Sequence, residues 1–456
     1  MDLGSYGKSV LHLKSGDTTG KLGYLVELYT DNTDGFKELD GGGDTGYSKT
    51  DFMTKLRYSF SDAHALEFKY SMTDEISNET YLGLTNEDFR ENPLRRYRAT
   101  ALDEMDADHS QVTLSYAAKL SDNMTFAVTA YSNDFARNWY KLNKVNGAKL
   151  STIAKPTDAA FADFYALMNA QNSADDAYRI KANNREYYSS GVQAVFNVET
   201  GGHDMQIGMR IHSDEMDRFQ WEDRYKMLDG NLVMTTQATP GSDSNRIDSA
   251  EATALYFEDR FSVGELTVTA GARYEEITVM RDDWGKTDAD RSETPSNREH
   301  TMDVIVPGVA VEYPISDTQT ISLGIHKGFA PPGPGSSGVT DEAVDPETSL
   351  NTEISWKSNE GLNSMEFTYF MNSYDNLLGA DTAASGGGTD DLFNGGAVDI
   401  SGLELHLRRL LVDNGSIQVP LEVSYTKTNT EFKESFDGFW GDVSSGDELP
   451  YIPETM

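Results

Sequence analysis

Alternation at period two is what most constrains this chain. From Leu266 onward, Leu266, Val268, Ala270, Ala272 and Tyr274 alternate with Thr267, Thr269, Gly271, Arg273 and Glu275. Met205, Ile207, Met209 and Ile211 alternate with Gln206, Gly208, Arg210 and His212. Ile321, Leu323 and Ile325 do so with Ser322, Gly324 and His326. Successive side chains on a strand point to opposite faces, so each segment predicts a strand with one apolar and one largely polar face. A soluble sandwich alternates too, and connection length separates the two. Tight turns fall near Ser15–Lys21, Ser61–His64, Ser121–Asn123, Thr200–His203, Ser262–Gly264, Ser316–Thr318, Ser358–Leu362 and Val412–Gly415. Long polar connections lie between them: Asp31–Gly46, Asp74–Asp108, Phe135–Asn184, Arg218–Arg246, Asp282–Arg298, Pro331–Glu347 and Asp375–Gly395. Short and long in turn is the pattern of membrane barrels, and compact soluble domains seldom carry so many long loops on alternate connections. The expectation is an all-β fold, a large antiparallel up-and-down transmembrane β-barrel of about sixteen strands.

Composition agrees by what it excludes. Mean hydropathy is -0.54, and no apolar run of about 20 residues is present for a spanning helix. Barrel strands average to a soluble-looking value because only every second residue meets lipid. The net charge of -37 makes nucleic acid a poor partner, since phosphate binding needs clustered cations. The chain has no cysteine, which excludes disulfides, thiolate metal sites and a Cys nucleophile. Met1-Asp2-Leu3-Gly4 lacks the basic and apolar regions of a secretory signal, so an export signal is expected upstream.

Phe60, Phe261, Tyr313 and Trp356 each stand just before a tight turn, where a membrane-boundary girdle is expected. One stretch leaves the strand pattern. Thr157 to Asn172 carries Phe161, Phe164, Tyr165 and Met168 at i, i+3, i+4 and i+7, with Asp158 and Asp163 toward its start. This predicts a short helix inside the longest outside loop, near 157–172. The whole of 1–456 reads as one barrel domain with long extracellular loops.

Several phrases carry more than periodicity. They are Thr33-Asp34-Gly35-Phe36 through Gly46-Tyr47, His326-Lys327-Gly328-Phe329-Ala330-Pro331-Pro332, and Glu347-Thr348-Ser349-Leu350-Asn351-Thr352-Glu353. They continue with Asn394-Gly395-Gly396-Ala397-Val398-Asp399-Ile400-Ser401-Gly402-Leu403-Glu404-Leu405 and Leu449-Pro450-Tyr451-Ile452-Pro453-Glu454. In this order the set resembles the TonB-dependent outer-membrane receptors, most nearly the ferric-dicitrate-type branch. The resemblance implies a barrel of about 22 strands holding an N-terminal plug. It implies uptake of a scarce ligand, a ferric chelate such as a siderophore or ferric citrate, across the bacterial outer membrane. A TonB-type energy-coupling protein would drive it by pulling a short N-terminal box. The plug and box are absent from this sequence and the strand count is lower, so an incomplete barrel is expected.

Candidate site residues follow from phase. If the Leu and Val positions face lipid, Arg210, His212, Arg273, His326 and His406 face the lumen. Each lies about six to nine residues from a tight turn, roughly 15–23 Å up the wall at about 3.3 Å per residue and a tilt near 40°. Arginine suits an anionic chelate through paired hydrogen bonds to carboxylates. Alternatively Glu275 and Glu404 neutralise these groups, or they contact a plug. Asp40-Gly41-Gly42-Gly43-Asp44 and Asp381 to Asp391 are acidic loops that could hold a hard cation, though solvated loops of this kind are commoner. The histidines lack zinc-helix spacing, and there is neither Gly-x-Ser-x-Gly nor a P-loop, so no cofactor, no metal and no enzyme chemistry is expected. Two rivals stand beside the receptor. One is a passive porin-like channel. The other is a soluble secreted carbohydrate-binding β-protein, whose apolar phase would meet a second sheet.

Overall fold

The computed structural model describes residues 1–331, 346–375, 377–380, 392–394, 396–438 and 441–456. Its body is one 19-stranded sheet, sixteen long strands with three short ones attached. The long strands begin with Ser9–Thr19, Leu22–Thr33, Tyr47–Ser61 and His64–Ser77, and end with Val398–Asp413 and Gln418–Phe432. Each pairs antiparallel with its neighbour along the chain, as in the ladders joining Met124–Val145, Tyr178–Thr200, His203–Leu228, Ser244–Val263 and Leu266–Asp283. A parallel pair does occur, Glu38–Leu39 with Arg95–Arg96, but it ties two loops together outside the wall. The two outermost long strands each carry a short partner: Asp2–Leu3 lies beside Ser9–Thr19, and residues 454–456 lie beside Gln418–Phe432.

The apolar phase points away from any second sheet. Ile207 is 54% exposed, Ile211 53% and Ile305 59%, with Leu255, Phe257, Leu323, Phe367 and Tyr369 exposed on the same side of their strands. In water this surface would cost about 25 cal/mol per Å². So large an apolar exterior marks a lipid-facing wall, and it removes the soluble carbohydrate-binding alternative. Phe60 and Tyr313, two of the predicted girdle aromatics, are exposed on this face. Phe60 meets Tyr58 edge-on at 5.1 Å.

The strands outrun the membrane. His203–Leu228 has 26 residues, Tyr178–Thr200 23 and Met124–Val145 22, whereas about 9–11 tilted residues cross the bilayer. Much of what reads as loop in Phe135–Asn184 and Arg218–Arg246 is therefore wall. Once past the lipid, neither face needs to be apolar, so alternation ends while backbone pairing continues.

Above this wall the loop segments near 78–103 and 146–177, with the strand ends beside them, fold into a cap with its own core. Leu82, Tyr97, Leu142, Ile153, Phe164, Met168, Tyr178 and Met227 are buried together there. The predicted helical stretch is a helix at Phe161–Met168, shorter than 157–172, which buries Phe164 and Met168. A second helix, Asn86–Glu91, starts from Thr85, whose hydroxyl accepts the Asp88 N–H at 3.1 Å. Arg95 staples three loops: it donates to Asp40 at 2.9 Å, to Asp88 at 2.9 Å and to Asn169.

Two sequence motifs acquire reasons. The strand Gln319–Ala330 stops ahead of Pro331, which has no N–H to donate to a ladder; Pro332 lies outside the described residues. In the phrase running from Asn394, Gly395 also lies outside them, while Gly402 is packed under the Phe370 ring. A Cβ on Gly402 would stand 2.6 Å from that ring and 2.5 Å from the Lys427 carbonyl oxygen.

Candidate ligand-binding wall

The five predicted residues all fall on the polar, inner phase, in three separate places. Arg210 and His212 meet at Tyr131. Arg210 Nε donates to the Tyr131 hydroxyl at 2.9 Å, and His212 Nδ1 lies 2.7 Å from the same oxygen. His212 Nε2 faces Asp214 at 3.3 Å. Gly191 makes this cluster possible: a Cβ there would stand 2.4 Å from the Tyr131 hydroxyl oxygen.

Arg273 and His326 line one recess of about 450 Å³, together with Tyr256, Glu258, Gly271 and Gly308. Gly271 and Gly308 are paired directly across the ladder, so this part of the wall has no side chains to fill it. Arg273 donates to Glu275, one of the two acids expected to neutralise it, and its guanidinium lies 5.8 Å from the Tyr256 ring centre. His406 is remote from both groups, exposed on Val398–Asp413, with Nδ1 3.1 Å from Ser424 Oγ.

The acidic turn Asp40–Asp44 is a structural clip. Arg95 holds Asp40, and Asp44 accepts the Gly46 N–H at 2.9 Å. Among the described residues no group of three His, Asp or Glu side chains is placed to hold a metal ion. Asp381–Asp391 lies outside the described residues.

The strongest charge feature lies higher, in the strand extensions. Arg137 is opposite Arg185, Arg185 opposite Arg218, and Arg218 opposite Arg246. Four arginines thus stand in one row across four adjacent strands, on the same phase as Arg210. Arg137 stands roughly 35 Å above its turn, beyond an apolar band of about 25 Å. Asp248 lies fully buried between Arg246, at 3.1 Å, and Arg281. Above the row, Lys181 is opposite Lys141 and holds Asp243 at 2.7 Å. Like charges directly opposite are unfavourable, and Asp248 offsets the Arg246 end of the row. Sequence reasoning missed it because Arg137, Arg218 and Arg246 sit in stretches that read as loop and Arg185 stands at the edge of one. Equal distance from the tight turns at Ser121–Asn123 and Thr200–His203 was the signal that could have aligned them.

An antiparallel wall with lipid-facing aliphatics, a polar interior and a folded loop cap defines a membrane β-barrel of the outer-membrane kind. Residues 75–456 match the family described as TonB dependent receptor-like, beta-barrel, and the chain belongs to that family. Barrels of this family are outer-membrane proteins, so the chain is one as well.

Solved structures share the fold. The ferric citrate transporter FecA, unliganded, superposes with a TM-score of 0.70 at 18% identity, covering 98% of this chain and 59% of that one. The ferric-catecholate import receptor Fiu from E. coli K12 gives 0.70 at 12% identity, covering 99% and 66%. The siderophore receptor PiuA from Acinetobacter baumannii gives 0.73 at 13% identity, covering 99% and 67%. The chain therefore spans only 59–67% of the length of these three proteins.

Proposed function

We propose that this chain is the barrel wall of a receptor that binds an anionic ferric chelate at its extracellular mouth. A TonB-type coupling protein would drive the ligand inward, and the wall would bind its cargo without chemically altering it. The observation that carries this reading is the row Arg137, Arg185, Arg218 and Arg246 in a chain of net charge -37. Asp248 offsets the Arg246 end of the row, and a concentration of guanidinium groups in so acidic a molecule would favour capture of an anion there over other parts of the wall. Guanidinium groups at adjacent-strand spacing match carboxylate and similar oxyanion pairs. Arg210 and His212, then Arg273 and His326, continue basic groups down the same sector of the wall and would hold the ligand after entry. Anion-selective pores also carry Arg and Lys, and it is membership of the TonB dependent receptor-like family that favours the receptor over a passive channel.

The test is equilibrium titration of the full chain, folded into detergent micelles, with ferric citrate and with a neutral ferric hydroxamate. Arg137→Gln should weaken ferric citrate binding about ten- to a hundredfold, since a hydrogen bond to a charged group is worth roughly 1.5–3 kcal/mol. Arg210→Gln should weaken it less. If Arg137→Gln binds ferric citrate like wild type, the mouth assignment is wrong. If only the neutral chelate binds, the ligand class is wrong.

A further inference from the structure

The outer phase of the wall changes character above the lipid belt. On Tyr178–Thr200 and His203–Leu228, Val192 is opposite Ile211, and both are exposed. Four residues further up, Tyr188 is opposite Glu215, and two more bring Glu186 opposite Asp217. At about 3.3 Å per residue and a tilt near 40°, Asp217 stands roughly 15 Å above the Ile211 row. A pocket of about 190 Å³ lies there, lined by Asn184, Glu186, Asp217, Phe219, Asp290 and Arg291. The loop between Leu266–Asp283 and Ser296–Ser316 forms one side of it. Arg291 grips Asp217 with two hydrogen bonds, 2.8 and 2.6 Å long. Its guanidinium lies 5.0 Å from the Phe219 ring centre and 4.8 Å from that of Trp284. Arg291 adopts φ +52°, an uncommon conformation for a residue with a side chain. Asp288 fixes the turn around it by accepting the Ser292 and Glu293 N–H groups at 3.1 and 3.0 Å. A wall preset in this way loses little freedom when a ligand enters.

We infer that this exterior pocket holds a neutral sugar ring of the glycolipid that forms the outer leaflet. Its groups suit a polyhydroxylated ligand. The Glu186 and Asp290 carboxylates accept hydroxyl protons, the Asn184 amide both donates and accepts, and Phe219 offers an apolar surface to ring C–H groups. Three carboxylates against one guanidinium disfavour phosphate and carboxylate groups, so the neutral sugars are recognised rather than the acidic part of the glycolipid. Height decides the source. A sugar chain leaving the membrane surface passes the exposed Tyr188 ring before it reaches Glu186 and Asp217. A lipid-borne sugar is also held beside the wall at high local concentration, so weak contacts suffice. The inference needs only the lipid-facing wall and stands apart from the cargo of the receptor.

Two probes test it: a dephosphorylated core oligosaccharide released from such a glycolipid, and the intact glycolipid in bicelles. The protein is the full chain, wild type and Glu186→Ala and Ala289→Trp variants. Oligosaccharide binding is titrated by saturation-transfer NMR, and glycolipid is measured as the amount retained per protein after gel filtration. Heat-modifiable gel mobility serves as the folding control. Wild type should bind the oligosaccharide and retain the glycolipid. Glu186→Ala should weaken oligosaccharide binding about ten- to a hundredfold, the loss expected for one hydrogen bond to a charged group. Ala289→Trp, which fills the pocket, should abolish it. Oligosaccharide binding that survives both substitutions, binding that requires the phosphates, or no binding by folded wild type overturns the inference and leaves the receptor reading standing. Oligosaccharide binding without retention of the intact glycolipid overturns the assignment to the membrane and makes the ligand a free sugar.

Discussion

At the scale of single residues, Asp103 is the most exacting side chain in the cap. It is 1% exposed, accepts the Leu142 N–H at 2.7 Å, and lies near Arg96 and Lys141. Burial pushes its carboxyl up to about 7, against the pull of those cations. The folded chain therefore holds a proton, between the ordinary carboxyl range near ~4 and about 7, that an unfolded chain would release. Cap stability should fall as pH rises through that window and level off above it. Asp103→Asn keeps the acceptor and removes the charge. Limited proteolysis of loop 78–103 should then be slower than wild type at mildly alkaline pH and similar near pH ~5. Equal rates at both pH values would show that Asp103 is not the titrating group. The phase of Arg210, His212, Arg273, His326 and His406 was legible in the sequence, because alternation fixes phase whatever the distance. Which of them meet was not, because that depends on register between strands.

Elements show why part of the wall was hidden. Hydrophobic alternation reports where lipid is, and the ladder does not end there. Met124–Val145 and Tyr178–Thr200 were recognisable only over their membrane-facing parts, and the arginine row lies in the rest. The helix Phe161–Met168 was legible because its apolar residues recur at helical spacing, which would scatter them over both faces of a strand. Phe164 is 1% exposed, and Phe164→Ala should cost about 3–5 kcal/mol of cap stability. Protease cleavage within 146–177 should accelerate while the heat-modifiable wall persists. Loss of the wall as well would mean that cap and barrel are one unit. Tyr131→Phe should free Arg210 and His212 from each other, because it removes the hydroxyl that both of them meet. Weakened ferric citrate binding with unchanged gel mobility is the expected result.

The whole molecule joins an apolar belt to a strongly acidic set of surfaces. The belt requires detergent for extraction, and recovery of the folded chain in the soluble fraction would contradict the lipid-facing assignment. The charge of -37 repels an incoming anion at long range, so divalent cations held among the loops should help. Dialysing Ca²⁺ and Mg²⁺ away, with no competing chelator in the titration, should weaken ferric citrate binding most at low ionic strength, where screening is least. The sixteen-strand count and the antiparallel order could be read from turn spacing alone, whereas the folded cap could not, since its core draws on residues far apart in sequence. Arg95 gives that cap a property that a set of separate loops would lack. Holding Asp40, Asp88 and Asn169 at once, it makes three connections open as a single foldon. Amide hydrogens in 36–46, 84–100 and 161–170 should therefore exchange with one shared opening free energy, which Arg95→Ala would split into three, so the cap responds to a ligand in one step rather than loop by loop.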